Sequence, residues 1–216
     1  LQKLKAAPAY QLSALKEATP SSVSKISSIS DRICYVLHNT LPYSSGGYAT
    51  RSHGVTTGFK KAGWDMVILS RPGFPLDIKP ELAETDVPPM DIVDSIPYIR
   101  TLSPKRVGMT ALEYMLASAD AIENKLREHR PSVVMAASNH VTGLPALIAA
   151  RRTGLPFIYE IRGLWEITRM SRDNGFQDKA AFHVQKILEA SVANMADHVF
   201  TLTEGMRQEL VERGVP

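Results

Sequence analysis

A single cysteine, Cys34, is present in 216 residues, so no internal disulfide can staple the chain. That usage fits a reducing compartment weakly, and a lone thiol inside an apolar run reads as a small buried hydrophobe. No apolar stretch approaches the ~20 residues needed to span a bilayer. The first residues lack the apolar segment of a signal peptide. The chain starts at Leu1 in place of Met, which fits a fragment or a processed form. Two nucleotide signatures are also missing. There is no GxxxxGK followed by Ser or Thr, and no GxGxxG, which argues against P-loop, nicotinamide and flavin chemistry. No spacing of metal-ligating residues stands out, no internal repeat is visible, and neither a metal nor a resident cofactor is expected.

A surplus of charge is lacking too. The formal net charge is +3. Residues 1–30 account for all of it, through Lys3, Lys5, Lys16 and Lys25 against Glu17, and the remaining residues balance. With no broad basic excess and no nucleic-acid motif, a nucleic-acid partner is not expected. Six serines between Ser21 and Ser30, with Pro8 and Pro20, give 1–30 the composition of a flexible tail or linker, with room for a short helix over 11–18.

What is present is a regular alternation from Asp31 onward. Apolar runs predict strands at 32–38, 64–70, 97–101, 132–138, 156–161 and 198–202. Between them, 3.6-residue periodicity predicts helices at 48–62, 109–128, 143–152 (capped by Thr142), 177–196 and 204–213 (capped by Thr203). On the first of these, Tyr48, Val55, Phe59 and Ala62 share one face. The proline-rich segment 71–96 breaks the rhythm and reads as an irregular excursion holding a short strand or hairpin. Near-uniformly apolar strands are those of a sheet covered on both faces. The fold class is therefore α/β, a doubly wound, mainly parallel Rossmann-like sheet over 31–216. Its ligands bind at the carboxyl ends of the strands.

Residues 33–69 carry the strongest local signal: strand, Gly46-Gly47 turn, helix, second strand. Gly46 and Gly47 either need positive φ or present bare backbone N–H groups to an anion at a helix N-terminus. Tyr48, Thr50 and Arg51 occupy the first helical turn, where an arginine opposes the helix dipole unless an anion is near. Gly54 and Gly58 lie inside this helix, where tight packing is the expected reason. Asn139 and His140 follow the strand at 132–138, at the right edge of the sheet for a site. The segment YEIRGLWEITRMSR brings Glu160, Arg162, Trp165, Glu166, Arg169 and Arg172 together after another strand. It reads as an exposed loop laced with ion pairs or as a site for an anionic or sugar ligand. Thr203 and Glu204 are explained by helix capping.

Three stretches, GGYATRSHGVTTGFKKAGWDMVIL, GLPALIAARRTGLPFIYEIRGLWE and FTLTEGMRQELVERGVP, together resemble the amino-terminal domain of family 4 retaining glycosyltransferases over residues 31–216. The resemblance implies one Rossmann-like half of a GT-B architecture. It implies transfer of a sugar from a nucleoside-diphosphate sugar to a glycan or lipid-linked acceptor, as in polysaccharide biosynthesis. This chain would be the acceptor-side domain, inactive alone, and its partner a nucleotide-sugar domain following Pro216. Many members carry a histidine after the fifth strand; Arg162-Gly163-Leu164-Trp165 is similar instead to the Arg-Asp-Leu-Trp of a subset. By that resemblance Arg162 and Glu160 are the catalytic candidates, with Arg162 on phosphate or acceptor. Gly46, Gly47, Tyr48, Thr50, Arg51, Asn139, His140, Trp165, Glu166 and Arg169 are the substrate-binding candidates. The expected location is cytoplasmic, with the lysine tail offering peripheral contact at the inner membrane face. A non-catalytic module that binds an anionic ligand or a protein partner is the alternative.

Overall fold

The run RICYVL has apolar residues on both sides of the pleat, and it becomes the central strand of the sheet. The structure is a computed structural model that describes residues 8–18, 23 and 25–216. Strands β1 (Arg32–Leu37), β2 (Asp65–Ser70), β3 (Met90–Val93), β4 (Ile96–Ile99), β5 (Val133–Ala137), β6 (Phe157–Ile161) and β7 (His198–Thr201) form one sheet. The order is β3-β4-β2-β1-β5-β6-β7. All pairings are parallel except the β3–β4 hairpin at one edge. The order reverses at β1, whose neighbours β2 and β5 carry the chain away in opposite directions. That reversal opens a crevice above the strand tips.

Alternation of side chains sorts the core into two faces. Cys34 and Val36 join Val134, Ala136, Phe157 and Tyr159 on one face. It is covered by helices α3 (Ala111–His129), α4 (His140–Thr153) and α6 (Ala180–Met195). Tyr35, Leu37, Ile68, Tyr98 and Met135 occupy the other face. There α2 (Gly47–Lys61) lies across the sheet, placing Tyr48, Val55 and Phe59 on it. Ala62 does not share this face; it is the exposed C-cap residue of α2. The remaining helices are α1 (Pro8–Glu17), the short α5 (Trp165–Met170) and α7 (Glu204–Glu212). Cys34 is 1% exposed, and burial raises its thiol pKa, so it stays a protonated core residue. Among the described residues, no helix is long and apolar enough to cross a membrane.

Several expectations change. Helix α4 starts three residues before 143, with Asn139 as N-cap, its Oδ1 accepting from Val141 N at 3.1 Å. Asn139 is the better cap because it precedes the helix directly. Thr142 lies instead in the buried first turn and faces His38. The excursion at 71–96 ends in the β3–β4 hairpin. Its turn residues Asp94 and Ser95 both have positive φ, and Lys60 Nζ donates to Ser95 O at 2.7 Å. The described part of 1–30 is tied to the domain: α1 begins at Pro8, Ile26 N donates to Thr153 O, and Ile29 N donates to Arg130 O. Residues 1–7, 19–22 and 24 of the expected tail lie outside the described residues.

Two sets of glycines separate sharply. At Gly143 an added Cβ would come within 2.6 Å of the buried Tyr159 ring, so this turn of α4 can reach the sheet only without a side chain. At Gly54 and Gly58 an added Cβ meets nothing within 4 Å, and both are exposed. Tight packing therefore does not account for them, and each costs α2 roughly 1 kcal/mol against alanine. Gly54→Ala and Gly58→Ala should each raise stability by about 0.5–1 kcal/mol in urea unfolding. Gly143→Ala should lower it by about 1–2 kcal/mol, since overpacking outweighs the gain in helix propensity. Equal effects at the three positions would contradict the packing described.

Candidate functional site

The tips of β1, β5 and β6 open into a cavity of about 1120 Å³. Helix α2 points its N-terminus at this cavity. Gly46 is the N-cap, with φ −66° and no side-chain cap, and Gly47 is the first helical residue. Neither has positive φ, and a Cβ at either would meet nothing within 4 Å. These glycines therefore leave clear backbone at a positive helix end, the geometry suited to an anion.

The first turn of α2 is stitched to three strand tips. Tyr48 Oη accepts from His38 N at 3.0 Å and donates to Ala137 O at 3.2 Å, joining β1 and β5. Arg162, just past β6, donates from Nη1 to Tyr48 O at 3.1 Å and to Ser52 Oγ at 2.7 Å. Its Nη2 donates to Glu160 Oε2 at 2.9 Å and also to Tyr35 Oη. Tyr35 in turn donates to Glu160. The guanidinium lies over the Tyr48 ring, 4.8 Å from its centroid. Arg51 Nε reaches the other carboxylate oxygen of Glu160 at 3.3 Å. Two cations thus sit at a helix start because Glu160 supplies the compensating anion from beneath. Burial by itself would raise the Glu160 pKa. Hydrogen bonds from Arg162 and Tyr35 outweigh that and hold the carboxyl below its usual range.

Glu160 is 4% exposed and does not line the cavity, while Arg162 does so with its donors directed into protein. Both therefore act here as positioning groups for α2. Gly47, Tyr48, Arg51, Asn139, His140, Trp165 and Arg169 also line the cavity. Gly46, Thr50 and Glu166 do not. Thr50 Oγ1 donates back to Ser45 O at 3.1 Å. Glu166 is 1% exposed and pairs with Arg213 Nη1 at 2.7 Å, binding α5 to the end of α7. His140 N donates to Glu189 Oε2 at 2.7 Å, and Tyr159 Oη donates to Glu189 Oε1 at 2.6 Å, so the start of α4 has its own buried anion.

Three ionisable lining residues were not among the sequence candidates or were left outside the chosen set: His38, Arg106 and Arg172. His38 directly follows β1, a position the glycine turn overshadowed. Its Nδ1 lies 3.0 Å from Thr142 Oγ1, and its ring meets Trp165 edge-on at 5.2 Å. Burial, and then the charges of Arg71, Arg106 and His140, press its pKa well below 6.5. Arg106 is in the loop between β4 and α3, and only the fold brings it to these strand tips. Arg172 belongs to the charged segment after β6. The lining holds five arginines and two histidines and no aspartate or glutamate. Among the described residues, no three His, Cys, Asp or Glu side chains gather in a way that could hold a metal ion.

The model of the glycosyl transferase 4-like domain matches residues 46–216, starting at the glycine turn. The chain belongs to this family. No curated protein sequence matches the chain. Among solved structures, this glycosyl transferase 4-like domain is similar to UDP-GlcNAc 2-epimerase from Methanocaldococcus jannaschii. The TM-score is 0.55 at 14% identity, covering 86% of this chain and 43% of that one. UDP-N-acetylglucosamine 2-epimerase from Rickettsia bellii gives a TM-score of 0.56 at 14% identity, with 86% and 42% covered. At such identity the likeness is one of fold, the Rossmann-like half of a GT-B architecture. The domain spans less than half the length of either structure.

His38 supplies a pH test of the site's electrostatics. Its folded pKa is depressed, so the unfolded chain takes the proton first, and native stability falls as pH drops below 6.5. The loss attributable to one such group is at most about 1.4 kcal/mol per pH unit. His38→Gln should flatten the stability curve between pH 7 and 5, as read by urea midpoints. Parallel curves for the two proteins would show that His38 is not held neutral.

Proposed function

We propose that this domain is the acceptor-side half of a retaining glycosyltransferase that moves a sugar from a nucleoside-diphosphate sugar to a glycan or lipid-linked acceptor. The observation that carries the proposal is the carboxylate-free, arginine-lined cavity at the strand tips, with the clear N-terminus of α2 at its edge. Departure of a nucleoside diphosphate places negative charge on phosphate oxygens as the sugar takes on oxocarbenium character. Fixed N–H dipoles at Gly47 and the charge of Arg51 suit that developing charge. Trp165, 38% exposed, offers a flat apolar surface for a sugar ring. Donor binding is assigned to a nucleotide-sugar domain outside these 216 residues, and closure of the two domains excludes water from the reacting pair. The proposed location is cytoplasmic, at the inner membrane face when the acceptor is lipid-linked.

A binding module without turnover is the second reading, and one feature favours it. Glu160, Glu166 and Glu189 are all engaged away from the cavity, which leaves no carboxylate of this chain to act as acid or base there.

Two outcomes are expected. The 216-residue chain, incubated with nucleotide sugars and acceptors, should form no product. In the full-length protein, Gly47→Val should cut turnover at least tenfold while the fold survives, because the new side chain enters open space. Initial rates alongside a melting curve check this. An unchanged rate would remove the glycine turn from the site, and product from the chain alone would overturn the division of labour.

A further inference from the structure

The cavity wall is rich in hydrogen-bond donors and short of side-chain acceptors. A guanidinium donates and cannot accept, and five of them line the wall. Most of the acceptors beside them are already engaged. Tyr48 Oη accepts from His38 N at 3.0 Å, and Asn139 Oδ1 accepts from Val141 N at 3.1 Å. The Thr168 hydroxyl is turned to Leu164 O at 3.2 Å. A ligand hydroxyl brought into this cavity must place its own proton on something, or lose the hydrogen bond it had with water. Beyond Gln185 of α6, the two histidines remain.

These two imidazoles are set differently. His140 Nδ1 faces the buried carboxylate of Glu189 at 3.5 Å, a contact that gains an ion pair when the ring is charged. No carboxylate pairs with His38 among the described residues. Burial and the positive groups around it, Arg71, Arg106 and His140, hold it uncharged. A neutral imidazole has one donor and one acceptor nitrogen. Its Nδ1 lies 3.0 Å from the buried Thr142 Oγ1 at the start of α4. Its Nε2 has no hydrogen-bond partner among the described residues, and it is not sealed from the cavity that His38 lines. A lone pair directed toward arginines, with the N–H turned away to Thr142, is the tautomer that the local field favours. Beside it stands Trp165, whose ring meets His38 edge-on at 5.2 Å and is 38% exposed.

We propose that His38 is a specificity residue: its Nε2 accepts the O–H of a sugar ring lying on Trp165. The proposal rests on the sugar-transfer reading in assigning that hydroxyl to the acceptor, while the binding claim concerns only the ring and its free nitrogen. Thr142 fixes the tautomer from behind, Trp165 supplies the flat apolar surface, and His38 supplies the acceptor that the guanidiniums lack. The cavity then holds two chemistries side by side. Arginines and the start of α2 suit phosphate charge, and the His38–Trp165 corner suits an uncharged, hydroxyl-bearing ring. An anion without an O–H gains nothing from His38.

The test follows the imidazole nitrogens of the ¹⁵N-labelled chain by NMR at neutral pH, with His38 assigned by the signals lost in His38→Ala. In the free chain Nδ1 should carry the proton, and Nε2 should show the downfield shift of a bare imidazole nitrogen. Methyl α-glucopyranoside, methyl α-mannopyranoside and methyl α-galactopyranoside are then titrated, with inorganic sulfate as an anion that has no O–H. At least one glycoside should move Nε2 upfield saturably, and the indole resonance of Trp165 should move at the same midpoint. Sulfate should leave Nε2 in place. His38→Ala should weaken that glycoside about fivefold to tenfold, the worth of one hydrogen bond. His38→Gln, which keeps an acceptor, should recover part of the loss, with circular dichroism checking that both variants are folded. A proton on Nε2 in the free chain would overturn the proposal. So would an Nε2 unmoved by all three glycosides, an equal shift from sulfate, or wild-type glycoside binding by His38→Ala. None of these readings involves a donor or turnover, so the sugar-transfer reading is judged separately, by product formation in the full-length protein.

Discussion

The contact between Arg162 and Glu160 beneath helix α2 is the constraint on which the rest of the site depends. Removing Glu160 would leave the Arg162 guanidinium buried without a carboxylate, at a cost of about 3–5 kcal/mol, whereas removing Arg162 would leave Glu160 with Arg51 and Tyr35 alone. The pair's value lies less in net stability than in registry. One guanidinium holds a main-chain carbonyl and a hydroxyl of α2 together with the carboxylate of β6 and the phenol of β1. The helix cannot slide or rotate without breaking several of these at once. Its N-terminus, and with it Gly47, Tyr48 and Arg51, is thereby fixed over the point where strand order reverses.

The same device explains why a chain with little net charge owns a cationic cavity. The carboxylates nearest the site are each drawn to partners behind the wall. Glu160 goes to Arg162 and Arg51, Glu166 to Arg213, and Glu189 to the start of α4 and Tyr159. Farther along the same edge, Arg71 pairs with Asp77 at 2.5 Å and Arg100 with Asp91 at 2.5 Å, both arginines nearly sealed from solvent. Charge is balanced overall and segregated locally. Segregation rather than surplus makes the cavity lining cationic.

Much of this was legible in the residues. Apolar runs bounded by polar turns located β1, β2, β5 and β6, because a strand buried on both faces has no choice but to be apolar, and they also located the less buried β4 and the edge strand β7. The Gly46-Gly47 turn announced a helix start, and the density of arginine after β6 announced a charged site. Pair assignments were not legible. Glu166 and Arg213 are far apart in sequence, and nothing local says that they meet. Arg51 at a helix start read as a call for a ligand's anion, whereas Glu160, brought in by β6, already answers it. His38 and Arg106 became visible only when the sheet gathered the ends of β1 and β4 along one edge. The glycines of α2 misled in the other direction: Gly54 and Gly58 pack against nothing, while Gly143, inside an unremarkable apolar helix, sets how closely α4 approaches the sheet.

The central claim is that the backbone at the start of α2 is an anion cradle facing the cavity. The most direct measurement is a titration of the ¹⁵N-labelled chain with inorganic pyrophosphate, following the amide resonances of its glycines. The account predicts a saturable shift at Gly47, with Gly163 following as a cavity neighbour, and no shift at Gly54 or Gly58, about two and three turns away. Shifts spread evenly over all of these glycines, or their absence at Gly47, would contradict it.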